Sequence, residues 1–150
     1  MKKLIDVYVY RLKDEIPEFL FLKRSSHKIY AHQWRMVSGK VEEKEAYWEA
    51  AKREFDEETQ LTPLQFWVIP SVNSFYEAKT DQIHQIPAFA VEVGVEQVPI
   101  LNDEHTEYKW ATVNNIDEFM TWPEQKRLLR TAHEIIINKI IQPEWLLDLK

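Results

Sequence analysis

The fold is decided by residues 39–61, which read Gly39-Lys40-Val41-Glu42-Glu43-Lys44-Glu45-Ala46-Tyr47-Trp48-Glu49-Ala50-Ala51-Lys52-Arg53-Glu54-Phe55-Asp56-Glu57-Glu58-Thr59-Gln60-Leu61. From Glu45 to Thr59 this segment predicts a helix, because it contains good helix formers and neither Pro nor Gly. Glu54, Glu57 and Glu58 stand at i, i+3 and i+4, so they share one face, where like charges cost about 0.2–0.5 kcal/mol per pair. A hard cation such as Mg²⁺ or Mn²⁺ would remove that repulsion, because such ions bind carboxylate oxygens and bridge to phosphate.

The same acidic face has a plainer interpretation as a solvated helix surface, which is the usual fate of such a run. That interpretation predicts no specific binding of a metal. The spacing of residues across the whole stretch decides between the two.

The stretch resembles the Nudix box. In that motif a Gly is followed after five residues by Glu, and after seven more by Arg-Glu-apolar-any-Glu-Glu-any-Gly-apolar. The matching residues are Gly39, Glu45, Arg53, Glu54, Phe55, Glu57, Glu58 and Leu61. The small pair Ala50-Ala51 and the segment 38–42 that enters the box also agree with the family.

One position departs from the motif, because Gln60 stands where the family usually has glycine. That glycine ends the helix, where a left-handed backbone conformation is often needed. A side chain there costs roughly 1 kcal/mol, or the helix ends in another way. The departure concerns the turn and leaves the carboxylates intact.

The resemblance implies a role for each matching residue. Metal ligands would be the carboxylates of Glu54, Glu57 and Glu58 together with the backbone carbonyl of Gly39, and one carboxylate would also accept the proton of the attacking water. Glu45 would be a supporting residue that orders the loop, and Arg53 would orient the carboxylates.

The resemblance also points to residues outside the box. The family often supplies a further ligand or base from an acidic loop before a late strand, and Glu104 is the first candidate here, with Glu107 second. Lys23 and Arg24, at the end of a predicted strand, would bind substrate phosphate. Trp34, Tyr76, Phe89 and Trp122 are candidates for stacking on a base, with core packing as the alternative for each. The five histidines show no zinc-binding spacing.

The function that the resemblance implies is hydrolysis of a phosphoanhydride bond in a nucleoside di- or triphosphate, or in a related X-linked diphosphate. Mg²⁺ or Mn²⁺ would be the cofactor, and phosphate or pyrophosphate would be released. Residues 37–42 and 122–126 resemble the group acting on dATP or dihydroneopterin triphosphate. The alternative is a catalytically silent Nudix-like binding or regulatory module, which predicts damaged carboxylates, whereas Glu54, Glu57 and Glu58 are all present.

The rest of the chain predicts an α+β fold. Strand-like runs occur at 4–10, 19–24, 34–38, 66–72, 88–95 and 107–113, with a turn at 14–17 and a polar loop at 25–32. The last third is helical, with a short turn of helix at 115–120 and a longer helix from Pro123 to about Ile140. Strands with one central and one final helix predict a mixed sheet covered by helices. The resemblance implies an α/β/α sandwich.

Bulk composition limits the function further. With 150 residues and 45% hydrophobic content, the chain predicts a single domain over 1–150. A net charge of −6 argues against a nucleic-acid partner and allows a small nucleotide-like substrate if a cation offsets the repulsion. No apolar run of about 18 residues predicts a membrane span, and the N-terminus is typical of a first strand rather than a signal peptide. The absence of cysteine excludes disulfides and is compatible with a cytoplasmic protein. A homodimer is left open.

Overall fold

The computed structural model of the protein describes residues 2–149. Within that range the strands and α-helices follow the order β1 Leu4–Lys13, β2 Ile16–Arg24, β3 Trp34–Arg35, β4 Val37–Lys40, α1 Tyr47–Thr59, β5 Pro63–Glu77, β6 Gln82–Val93, β7 His105–Ala111 and α2 Pro123–Ile137. Short 3-10 helices at Val113–Glu118 and Pro143–Trp145 lie on either side of α2. The domain predicted for 1–150 has its two end residues outside the described range.

All seven described strands belong to one sheet, in which β1 is central. The main path runs β3-β2-β1-β6-β5, while β4 pairs with β1 and β7 pairs with β2. The β1–β6 pair is parallel, with Asp6 opposite Ala88, and the other pairs are antiparallel. The sheet is therefore mixed, as the sequence predicts.

Side chains of β1 alternate between two separate cores, one on each face of the sheet. Ile5, Val7 and Val9 pack in the core beneath α1. Tyr8 and Tyr10 point the other way, into the core beneath α2. Because strand side chains have a period of two, one strand supplies both cores. With a helix covering each face, the predicted α/β/α sandwich is confirmed.

Helix α1 lies close to the sheet because its inward side chains are small. Ala50 and Ala51 are fully buried, and Phe55 packs edge-on against Phe66 of β5 with ring centroids 5.9 Å apart. This packing fixes the rotation of the helix about its axis. It therefore also fixes the direction in which the neighbouring acidic residues point.

The helix boundaries differ slightly from the prediction. The central helix begins at Tyr47 rather than Glu45, because Ala46 has an extended backbone and donates its N–H to the Glu49 carboxylate at 2.8 Å. The long final helix ends at Ile137, short of the predicted 140, and the turn predicted for 115–120 overlaps a 3-10 helix that begins at Val113 and ends at Glu118.

Several strands are longer than predicted, or are divided. The strand predicted for 34–38 is two strands, β3 and β4, and β4 continues past Gly39 to Lys40. The runs predicted for 66–72 and 88–95 are parts of one long hairpin spanning 63–93. Cross-strand pairing extended these strands through polar residues whose sequence gives no strand signal.

The helix α1 ends without the glycine that the motif has at position 60. Gln60 has φ 54° and ψ 22°, a left-handed conformation, and its N–H donates to the carbonyl of Asp56 at 2.9 Å. The helix therefore ends in the conformation that a glycine would adopt, and Gln60 carries the steric cost.

No helix among residues 2–149 is long and apolar enough to cross a membrane.

Candidate active site

Three carboxylates from two separate segments meet at the C-terminal end of α1. Glu54 and Glu58 come from the helix, and Glu104 comes from the loop before β7. One oxygen from each lies within 4.8 Å of the others. We call this group the carboxylate cluster. It joins two parts of the box to the residue predicted from the late acidic loop.

The loop that carries Glu104 is held on both sides. The N–H of Ser25 donates to the Glu104 carbonyl at 2.9 Å, and its hydroxyl donates to the Asp103 carbonyl at 2.7 Å. The amide of Asn102 donates to the carbonyl of Glu57 at 3.1 Å. The loop is thereby fixed to both β2 and α1, which sets the distance between Glu104 and the helix carboxylates.

Gly39 is required by the close approach of Glu54 to β4. A Cβ atom at this position would lie 2.5 Å from Cγ of Glu54 and 2.7 Å from its Oε2. The described residues include no glycine with positive φ. Space for the carboxylate, rather than backbone conformation, therefore explains the glycine.

Arg53 connects the acidic face of α1 to the segment that precedes the helix. Its Nε donates to Glu45 at 2.8 Å, one terminal nitrogen donates to Glu54 at 2.7 Å, and the other donates to the carbonyl of Lys40 at 2.9 Å. The bond from Arg53 lowers the pKa of Glu45 to about 2. Glu45 and Arg53 thus tie the loop before α1 to the carboxylate cluster, which is the geometry expected of supporting residues.

Glu58 is the most buried member of the cluster, with only 3% of its side chain exposed. Burial raises its pKa well above the usual value, and the neighbouring carboxyl of Glu54 raises it further. Its Oε2 is buried and has no hydrogen-bond partner among the described residues. An unsatisfied carboxylate oxygen beside two more acids costs free energy that a hard divalent cation would recover, so these residues fit such a metal.

Glu57, the third predicted helix ligand, lies outside the cluster. Its side chain is 52% exposed and accepts a bond from Arg53 at 3.3 Å. It occupies the solvent rim of the same face, next to Glu58. Glu107, the second candidate in the late segment, pairs instead with Lys23 at 3.2 Å.

The structure also brings a histidine to the cluster that the sequence did not single out. The ring of His105 is buried, with Nδ1 3.7 Å from Oε1 of Glu58. Burial, and then the charges of Arg24 and Arg35, lower its pKa to about 4, so the ring is neutral at pH 7. The spacing of the histidines does not identify His105, because it forms no zinc-binding pattern. Its position next to Glu104 is the one feature of the sequence that points to it.

The two predicted phosphate-binding residues have different surroundings. Lys23 is paired with Glu107 and lies 6.0 Å from the ring of Trp34. Arg24 lies close enough to Glu58 to lower its pKa, and its Nε donates only a long bond of 3.4 Å to the carbonyl of Ile29. Of the pair, Arg24 is the one whose charge acts on Glu58, and in the sheet it is opposite His105.

The aromatic candidates for base stacking separate into three groups. Trp34 and Trp122 line a small pocket together with Phe119, on the α2 side of the sheet. Tyr76 is exposed on the β5–β6 hairpin. Phe89 is buried in the core beneath α1, so its assignment as a stacking candidate is wrong.

Comparison with known proteins gives one family and a set of similar structures. The model of the NUDIX domain matches residues 2–132. An asymmetrical bis(5′-nucleosyl)-tetraphosphatase of Caenorhabditis elegans is 28% identical over 130 residues, which is 85% of this chain and 91% of that protein.

Two solved structures illustrate the shared fold. A binary complex of a C. elegans Ap4A hydrolase has a TM-score of 0.76 at 22% identity, covering 92% of this chain and 99% of that one. The dihydroneopterin triphosphate pyrophosphohydrolase of E. coli has a TM-score of 0.69 at 22% identity, covering 90% of this chain and 94% of that one.

Proposed function

This chain belongs to the Nudix family of hydrolases, and on that premise we propose that it cleaves a phosphoanhydride bond in a nucleotide-like substrate with the help of Mg²⁺ or Mn²⁺. The observation that carries the metal dependence is the carboxylate cluster, in which a buried oxygen of Glu58 has no partner among the described residues. In a purely structural domain an unpartnered buried oxygen lowers the free energy of unfolding, whereas in a metal enzyme it is available to bind the ion.

Each acidic residue has a proposed part in this function. Glu54, Glu58 and Glu104 would hold the metal together with the Gly39 carbonyl and with Glu57, whose side chain would turn inward from the rim. The metal, when bound, supplies positive charge against the phosphate oxygens and stabilises the leaving oxyanion. Arg53, supported by Glu45, keeps Glu54 in one orientation.

We propose that Glu104 accepts the proton of the attacking water. Its side chain is 33% exposed, so water reaches it, and its only ion pair among the described residues is a long one to Lys28 at 3.8 Å. Glu58 is enclosed, and Glu54 is bound by Arg53 at 2.7 Å. In the reaction the water oxygen forms a bond to phosphorus while its proton passes to Glu104. The bond from that phosphorus to the bridging oxygen breaks, and the bridging oxygen leaves with the electron pair.

The relatives and the sequence support a proposal for the substrate class. The similar proteins act on a bis(5′-nucleosyl) tetraphosphate and on dihydroneopterin triphosphate. We propose that this chain takes a substrate of the same kind: a di- or triphosphate, or a longer polyphosphate, attached to a nucleoside or pterin, with dATP and dihydroneopterin triphosphate among the candidates. Cytoplasmic location and a homodimer stay predictions.

The test is a screen of nucleoside di- and triphosphates, dinucleoside polyphosphates and dihydroneopterin triphosphate with Mg²⁺ or Mn²⁺. Released phosphate or pyrophosphate is measured, and EDTA should stop the reaction. Turnover of none of them by folded, metal-loaded protein would reject the enzyme and favour the silent binding module.

A matched pair of variants tests the proton acceptor. Glu104→Gln should lower kcat about 10²- to 10⁴-fold and change the acid limb of the pH–rate profile. Glu107→Gln removes the same charge from a nearby residue outside the cluster and should leave kcat near the wild-type value. Equal kcat values for the two variants would show that Glu104 does not accept the proton.

A further inference from the structure

A second arginine lies beside the carboxylate cluster. Arg35 ends β3, opposite Leu22 of β2, and is half-buried. Arg24 is opposite His105 of β7, the residue that follows Glu104, and the charges of Arg24 and Arg35 both act on His105. Within residues 2–149, neither arginine has a carboxylate at ion-pair distance.

An unpaired, half-buried guanidinium is unusual, because removing a cation from water without a partner is unfavourable. Burial lowers the pKa of Arg35, and the positive charge of Arg24 lowers it further. The negative charge of Asp6 raises it by more than Arg24 lowers it, and Glu58 raises it by less. No nitrogen of either arginine is a buried atom without a hydrogen-bond partner, so the donors that do not bind the Ile29 carbonyl reach solvent and can receive an anion.

The loop before β3 holds both arginines in place. The ring of Tyr30 lies 5.5 Å from the guanidinium of Arg35, and the carbonyl of Ile29 accepts the bond from Arg24. Tyr30 has φ 59°, which is unfavourable for a bulky side chain. Strain of this kind persists where the surroundings enforce it and often accompanies a functional constraint.

The loop orients these arginines without neutralising them. A tyrosine face attracts a guanidinium and fixes its plane, yet leaves the N–H groups at its edge available. A planar guanidinium binds two phosphate oxygens at once, which a lysine ammonium cannot do. Lys23, by contrast, is occupied by Glu107.

We propose that Arg35, oriented by Tyr30 and flanked by Arg24, binds a phosphate group of the substrate next to the carboxylate cluster. The inference rests on the proposed function for the nature of the anion, a polyphosphate. It assigns substrate binding to Arg35 and a positioning role to Tyr30. It also divides the site into an acidic half for the metal and a basic half for phosphate.

The first experiment measures anion binding without turnover. Methylenediphosphonate, whose P–C–P bridge resists hydrolysis, is titrated calorimetrically with Mg²⁺ present into wild-type protein, Arg35→Gln and Arg35→Lys. Arg35→Gln should bind about 10- to 100-fold more weakly, the effect of losing hydrogen bonds to a charged group. Arg35→Lys should fall between, because it keeps the charge and loses the planar fork.

The matched control is Arg11→Gln. Arg11 is also half-buried, but it is paired with Glu18 at 2.7 Å, about 20 Å along β2 from Arg24. This variant should bind the diphosphonate as the wild type does. Wild-type affinity in Arg35→Gln, or no binding by the wild type, would overturn the inference.

Tyr30 is tested by rescue. Tyr30→Leu should raise KM for a hydrolysed substrate with little change in kcat, while Tyr30→Phe should restore KM because it keeps the aromatic face. Equal KM values for the two variants would remove the positioning role. If no substrate is hydrolysed but diphosphonate binding still requires Arg35, the proposed function fails and the anion site stands.

Discussion

Changing Glu58 to Gln keeps the shape of the most buried carboxylate in the cluster and removes its charge. Activity and stability should then move in opposite directions. Activity should fall, because one of the proposed ligands of the metal that stabilises transition-state charge is lost. The metal-free protein becomes more stable, because Glu58 is buried with one unpartnered oxygen and its pKa is raised by burial and by Glu54.

The size of each effect follows from these surroundings. Loss of one group that stabilises transition-state charge costs about 10²- to 10³-fold in kcat. A buried polar atom without a partner costs about 1–3 kcal/mol, and a Gln amide can donate to Glu54 in its place. We therefore expect the free energy of unfolding without metal to rise by about 1 kcal/mol, which is about 2–4 °C in Tm for a chain of this size.

The assay compares Glu58→Gln with Asp56→Asn, which removes a charge from an exposed position on the same helix. Denaturant unfolding in EDTA gives stability, and steady-state kinetics with Mg²⁺ give kcat. Asp56→Asn should match the wild type in both. A Glu58→Gln protein that is less stable without metal, or that keeps its kcat, would refute the reasoning.

Three further outcomes are expected. Glu57→Gln should also lower kcat by at least about 10²-fold if Glu57 is a ligand. It should not stabilise the metal-free protein, because the side chain is 52% exposed. An unchanged kcat would show that Glu57 is only a solvated surface residue. Gln60→Gly should raise the free energy of unfolding by about 1 kcal/mol in a denaturant titration, since φ is 54° there; a loss of stability would contradict the assignment of strain. Asp6→Asn should raise Tm at neutral pH and match the wild type near about pH 3. Burial raises the pKa of Asp6 despite bonds from Gln125 and Asn73, so its stabilising proton is present below 3.8 and lost as pH rises through the native pKa. A wild type that is the more stable at neutral pH would contradict that sign.

The sequence predicts most accurately what is determined within a few residues. The helix and the shared face of Glu54 and Glu58 follow from helical spacing, and the left-handed turn at Gln60 follows from the position where the motif places glycine. The β-branched and aromatic residues at 4–10 predict a strand but not its two cores, because burial of both faces depends on which helix covers each.

The remaining features depend on contacts between distant segments. Glu104 is predicted because the family often supplies an acidic residue from the loop before a late strand, yet its distance from the helix depends on bonds from Ser25 and Asn102. Arg35 has no local signal in the sequence, and His105 has only its position next to Glu104, because the importance of both residues comes from what lies beside them in space. A charged residue in a short strand is ordinary in sequence and becomes unusual only when no partner reaches it.

The acidic and basic halves of the site therefore depend on different parts of the chain, so substitutions in the two halves should have different effects. The acidic half combines Glu104 with carboxylates of one helix whose rotation is fixed by Phe55, so changes there should weaken binding of the proposed metal and affect every substrate alike. The basic half stands on strand ends and on a strained loop at Tyr30, where a change of residue alters which phosphate is held without disturbing the helix. Selectivity between substrates of different phosphate length should therefore respond to residues 24–35 more than to the box.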